Sequence, residues 1–220
     1  DVVAYILFHL HGIEPVFCTD FRHAEESSYP AEWGGQQVTK NGDPTNAAAL
    51  GDADGRAQDF DEPDEYLGPA ITPEVNESFS VLTFARPVDV TANDAAILLA
   101  GGFIQMKVLT NTGRAEFFLS DGTNSTNLVV GGADPAGSDR YFVGSVDRES
   151  ETANLYASNG FDGESISGFG AFDETISRVQ IGSTGGGGTD AYKGELAYFA
   201  YLKEWISEEQ AAYLDAAGDS

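Results

Sequence analysis

The segment Asp52–Gly68, DADGRAQDFDEPDEYLG, packs seven carboxylates around Phe60. Carboxylates at that density serve as paired catalytic acids, as calcium ligands, or as a surface that holds water. A retaining glycosidase needs two carboxyl groups roughly 5–5.5 Å apart, one with a raised pKa. Asp59 and Asp61 alternate as such a pair would on a strand, as do Asp61 and Glu65 at wider spacing. Pro63 interrupts the run, and proline is hardly tolerated in a central strand. The acids therefore lie around a turn, and no catalytic residue is assigned.

Other reactive residues carry less. His9 and His11 sit two apart in HLH, a spacing that places two imidazoles on one strand face and that metals use. The plain reading, strand histidines without a site, is preferred for them and for His23. Cys18, in VFCTD, reads as a small buried residue, and no serine stands in a nucleophile elbow. DADG at Asp52–Gly55 begins like an EF-hand loop, but Arg56 occupies the third ligand position and removes that reading. Glycan binding needs aromatic platforms and hydrogen-bonding groups on an exposed face. Trp33, Tyr29 and Tyr66 are placed for it by their loop or rim positions. For Trp33, in PAEWGG, platform and loop anchor remain equal alternatives.

The bulk composition narrows the partners. In 220 residues there are 36 acidic and 11 basic side chains, for a formal net charge of −25. Such a surface repels itself at ordinary ionic strength. In molar salt the Debye length falls to about 3 Å and that repulsion is screened. Carboxylates spread through every loop, with only four lysines, point to a halophilic or marine source. No basic stripe exists to neutralise phosphates, which argues against nucleic acid, and anionic membranes are excluded on similar grounds. The opening DVVAYILFHL is too short an apolar run to span a bilayer and lacks the basic start of a signal peptide. One cysteine allows no intrachain disulfide.

The elements that must position these residues are short apolar segments bounded by Gly, Asn, Asp or Pro, the strand-and-turn pattern. FIQMKVL sets Ile104, Met106 and Val108 on one face against Gln105 and Lys107. SRVQIG sets Val179 and Ile181 against Arg178 and Gln180. Period two with one wet face predicts half-buried antiparallel strands. EPVFCTD, ESFSVLTFA, AAILLAG, RAEFFLS, TNLVVGG, RYFVGSV, TANLYAS and GELAYFAYL complete the set, and Asn159-Gly160 reads as a tight turn. GSTGGGGTD lacks the Lys-Ser/Thr ending of a phosphate loop and reads as a flexible loop. SEEQAAYLDAAG predicts one helix, with Ser207 as N-cap, Gln210 completing a capping box and Gly218 as the stop. Trp205 is expected to pack that helix onto the strands. Residues 24–50 read as a long polar loop.

Three segments in order resemble the laminin-G-like, concanavalin A-like lectin and glucanase jelly-roll family. GRAQDFDEPDEYL is similar to the family's early strand pair around a short turn. RYFVGSVDRESETANLYASNG resembles its hairpin ending in LY-x-NG, and YKGELAYFAYLKEWISEEQ its closing strand and terminal helix. Glu62 replaces a usual turn glycine, Gln210 a frequent Glu, and LYASNG carries one extra residue. The resemblance implies an all-β fold, a two-sheet antiparallel jelly-roll sandwich with one short C-terminal helix. It divides the chain into an N-terminal arm or strand, 1–14, and a jelly-roll domain, 15–220. It also implies a rim calcium site, for which Asp61 and Asp64 flank the turn. Against this stands the observation that so acidic a chain clusters Asp anywhere.

The fold hosts many functions. The first expectation is a non-catalytic recognition or adhesion module for surface glycan or glycoprotein, adapted to high salt and extracellular. The alternative is a structural virion component, such as a capsid decoration, turret or tail protein. Neighbouring subunits would then meet the same sandwich and its apolar arm VVAYILFHL. A glycoside hydrolase ranks third. Beyond calcium no cofactor is expected.

Overall fold

In the computed structural model, the described residues are 12–13, 15–20, 28–30, 37–41, 45–47, 57–60, 66–69, 74–87, 95–100, 104–109, 112–131, 140–157, 160–172, 179–182 and 192–218. Among them, sixteen strands form two antiparallel sheets of eight strands each, and one helix closes the chain. The expected all-β, two-sheet jelly-roll sandwich with a C-terminal helix is the fold.

Sheet I runs β14 (Gly160–Ser165), β13 (Thr152–Ala157), β12 (Arg140–Asp147), β7 (Phe79–Pro87), β16 (Gly194–Leu202), β5 (Ala57–Phe60) and β4 (Thr45–Ala47). Its eighth strand, β1 (Pro15–Asp20), shares the far side of β16 with β5. The first half of β16 pairs with β5 and the second half with β1. Sheet II runs β11 (Ser125–Val130), β10 (Ala115–Ser120), β9 (Ile104–Val108), β8 (Ala95–Ala100), β15 (Val179–Ile181), β6 (Tyr66–Pro69), β3 (Gln37–Asn41) and β2 (Ser28–Pro30).

Alternation explains the inner faces. Ile104, Met106 and Val108 of β9 and Phe117 and Leu119 of β10 meet Phe79, Phe142, Leu155 and Phe199 of sheet I in one buried cluster. Fully burying such a side chain contributes about 1.5–3 kcal/mol. Two glycines mark where side chains of sheet II press against the backbone of sheet I. A Cβ on Gly144 would lie 2.9 Å from the Phe117 ring, and one on Gly160 would lie 2.7 Å from Val130 Cγ1. A β-bulge between Leu196 and Tyr198 resets the phase of β16. Leu196, Phe199 and Tyr201 consequently all reach the inner cluster, while Tyr198, Ala200 and Leu202 join a second one outside.

That second cluster makes sheet I apolar on both faces. Leu82, Phe84, Tyr141, Val143 and Cys18 project outward and are covered by Ile206, Ala211 and Leu214 from the helix segment, with Ile13. The helix, α1 (Glu208–Gly218), begins as its capping box predicts. Gln210 N–H donates to Ser207 Oγ at 3.2 Å, and Ser207 N–H donates to Gln210 Oε1 at 2.9 Å. The connector before it is fastened by a polar row of sheet I. Ser80 Oγ donates to Glu204 O (2.7 Å) and accepts from Ile206 N–H (3.0 Å), and Ser145 Oγ donates to Ile206 O (3.0 Å). With the Asn154 carboxamide oriented as its neighbours require, its oxygen accepts from the Trp205 indole N–H at 3.0 Å. Trp205 thus ties the helix entrance to β13, as expected.

Three expectations need correction. Residues 24–50 contain β2, β3 and β4, strands of three to five residues too short to show a period. The early strand pair is not a pair: β5 belongs to sheet I and β6 to sheet II. The Asp61–Glu65 stretch therefore links two sheets, and both strands have neighbours on either side. Gly160 pairs with Ala157 and lies on β14, where the contact with Val130 requires glycine, instead of in the turn.

Candidate functional site

Outside the core, two regions hold the polar side chains that recognition chemistry needs: the loop rim and the outer face of sheet II. At the rim two described carboxylates, Asp121 and Asp147, are already engaged. Asp121, in the β10–β11 turn, accepts from the backbone N–H of Thr123 (2.7 Å) and Asn124. It also accepts from Gly170 N–H (2.6 Å) and Asn124 Nδ2 (3.1 Å). The Asn124 and Gly170 backbone donors hold its carboxyl well below the usual carboxylate range. Asn124 Nδ2 also donates to Gly168 O at 3.0 Å, so this turn is clasped to the segment after β14.

Asp147 behaves alike. It accepts from Ser150 Oγ (2.6 Å), Glu149 N–H (3.0 Å) and Ser78 Oγ (3.2 Å), and these bonds, Ser150 first, lower its pKa. Arg148 lays its guanidinium 4.1 Å over the Phe172 ring and donates to Gly170 O at 3.3 Å. Burial lowers its pKa, against the Asp121 charge. These groups brace loops. Among the described residues no three His, Cys, Asp or Glu side chains gather as a metal site.

The outer face of sheet II is built differently. With Met106, Phe117 and Leu128 turned inward, strand alternation turns Gln105, Lys107, Glu116, Phe118 and Asn127 outward. Register makes them neighbours. Leu99 lies between Gln180 and Gln105, and Phe118 between Gln105 and Asn127. One transverse row therefore carries carboxamides on β15, β9 and β11 and an aromatic ring on β10. Lys107 and Glu116 pair directly in the adjacent row, and the Lys107 ammonium lies 6.0 Å over the Phe118 ring. Gln180 is 4% exposed, and its Nε2 has no hydrogen-bond partner. Glu116 is 8% exposed. Gly68 is the next position across from Gln180, since Ile181 pairs with Leu67.

Of the residues expected to bind glycan or calcium, Trp33, Asp61 and Asp64 lie outside the described residues, as do His9, His11 and His23. Tyr29 is on β2 opposite Val38, and Tyr66 is on β6 opposite Asn41. Both therefore belong to sheet II, separated by β3. Cys18 is buried, its thiol donating to Tyr198 OH at 3.1 Å. The row Gln180, Gln105, Phe118, Asn127 was not foreseen as a site. Alternation marks Gln105, Lys107 and Gln180 as wet-face residues, but nothing local places them side by side.

No protein-family model and no curated protein sequence matches the chain. Solved structures do. Domain 4 of AbnA, an extracellular GH43 arabinanase of Geobacillus stearothermophilus solved with arabinotriose, aligns at TM-score 0.70 and 12% identity over 92% of this chain and 98% of that one. The binding domain of Paraclostridial Mosquitocidal Protein 1 aligns at TM-score 0.72 and 10% identity, over 91% of this chain and 51% of that one. The receptor binding domain of the botulinum neurotoxin C/D mosaic serotype gives 0.71 and 10%, over 92% and 51%. The chain thus spans about half the length of these toxin domains. At such identities the likeness shows the fold alone, a two-sheet antiparallel β-sandwich.

Proposed function

We propose that this chain is a non-catalytic recognition module of the laminin-G-like kind. It binds surface glycan or glycoprotein through the outer face of sheet II and works outside the cytoplasm. The observation that carries the reading is the row of carboxamides around Phe118, because sugar rings are held by an aromatic face with hydrogen-bonding groups beside it. The arabinanase domain, similar over nearly its whole length and solved with an arabinose trimer, supports it. Among the described residues of that face Glu116 is the single carboxylate, whereas both glycosidase geometries need two. Among the described residues, no helix is long and apolar enough to cross a membrane.

A glycan array probed in molar salt tests the reading, with Phe118→Ala alongside. Binding by the parent and its loss in the variant are expected. Silence toward every glycan would return the chain to the structural-component alternative, and release of reducing ends would make it an enzyme. The net charge of −25 supports adaptation to high salt as part of this reading. Thermal unfolding should shift upward with salt more than that of a near-neutral sandwich, and equal shifts would remove the halophilic part.

A further inference from the structure

The outer face of sheet II also bears on the charge of what it binds. Recognition of a carboxylate or sulfate calls for a cation free to meet it, most effectively an arginine fork. The one described cation in the row or beside it, Lys107, stands opposite Glu116 and over Phe118, so locally the two charges balance. Arg148, which does have unpartnered donors, is at the rim, stacked on Phe172 with Asp121 acting on it. Beyond the face, an anionic sugar approaches a molecule with 36 acids against 11 bases, and that field opposes it at low ionic strength.

The face instead offers neutral donors and acceptors, and one of them is unused. Gln180 is nearly fully buried on a strand whose Val179 and Ile181 face the core, and its Nε2 donates to nothing. A buried donor without a partner loses the free energy of its hydration with no return. On sheet I the comparable polar side chains, Ser80 and Ser145, are bonded to backbone. Beside Gln180 the position across is Gly68, which has no side chain to supply an acceptor.

We infer that this face takes an uncharged oligosaccharide, with the Gln180 carboxamide nitrogen donating to a sugar oxygen directly or through one water. The inference rests on the glycan-binding reading and adds the ligand's charge and one contact. It is tested by isothermal titration of the whole chain with arabinotriose, maltotriose and cellotriose, and with lactose against sialyllactose, in low and in molar salt. At least one uncharged sugar should bind with an affinity that salt changes by less than about twofold. Sialyllactose should bind about tenfold more weakly than lactose in low salt, the gap closing as salt screens the repulsion.

Gln180→Leu and Gln180→Met should lose roughly tenfold in affinity for the bound sugar while melting no lower than the parent, since they delete a donor that had no partner. Tighter binding of sialyllactose than of lactose in low salt would overturn the inference and leave glycan binding standing. No binding by any of the five sugars, with the array silent as well, would remove the glycan reading itself. Unchanged affinity with a lowered melting temperature in both variants would make Gln180 a structural residue and overturn its assignment.

Discussion

The outer faces of the two sheets carry comparable numbers of strands but spend their polar side chains differently. On sheet I the outward row Phe161, Tyr156, Val143, Leu82, Ala200, Cys18 crosses five strand junctions and is apolar enough to demand a cover. Helix α1 supplies much of it. The polar residues next to that row, Ser80, Ser145 and Asn154, are bonded to the connector that delivers the helix, and Tyr156 OH donates to Asp215 at 3.1 Å. At the β14 edge of that row a large ring emerges, Phe161, 42% exposed. On sheet II the corresponding row carries Gln180, Gln105 and Asn127 with Leu99 and Phe118 between them, meets no helix among the described residues, and leaves Gln180 Nε2 without a partner. A face whose polar groups are consumed internally is architecture. A face that keeps a buried donor unbonded, as this one keeps Gln180 Nε2, is where recognition can occur.

Substitutions on the two faces sharpen this contrast. Leu214→Ala, on the buried side of α1, should cost about 2–5 kcal/mol, read from urea unfolding. Phe118→Ala, on the half-buried outer face of sheet II, should cost only about 1 kcal/mol while abolishing glycan binding. Equal stability losses would erase the distinction between the faces. Ser80→Ala strands both Ile206 N–H and Glu204 O, and should cost about 1–3 kcal/mol without touching ligand affinity. Ser207→Ala removes the helix cap and should cost about 1 kcal/mol. The melting temperature would fall accordingly, again at constant affinity.

The smallest effect concerns the rim. The Asp121 carboxyl is held low by N–H donors, so its folded pKa lies below its unfolded value of about 3.9. Its contribution to stability is therefore present above that value and is lost as pH falls through the folded pKa. Asp121→Asn should destabilise near neutrality, with the difference from the parent shrinking in strong acid. A difference constant with pH would mean that the clasp to Gly170 does not depend on the charge.

Several of these features were legible from residues close together in the chain. Helix α1 was readable because capping is a contact between residues three apart, Ser207 and Gln210. Strands β9 and β15 were readable because alternation is a property of adjacent positions; Gln105 and Lys107 do lie half-buried on the outer face, whereas Gln180, expected on a wet face, is 4% exposed. The short strands β2, β3 and β4 were missed because three to five residues cannot display a period. The bulge in β16 escaped notice for a related reason: GELAYFAYL is apolar from Leu196 to Leu202 and displays no period, and only pairing with β7 shows that Leu196 and Phe199 share a face.

Composition and local pattern were enough to establish an acidic, all-β sandwich with a capped terminal helix, because charge, period and capping are written within a few residues of each other. Strand order was not. That β5 and β6 part into different sheets, that one sheet is apolar on both sides, and that Gln180, Gln105, Phe118 and Asn127 stand in one row are all consequences of pairings between distant segments. Those pairings form where whole faces find their complement, and no short stretch of chain holds that information.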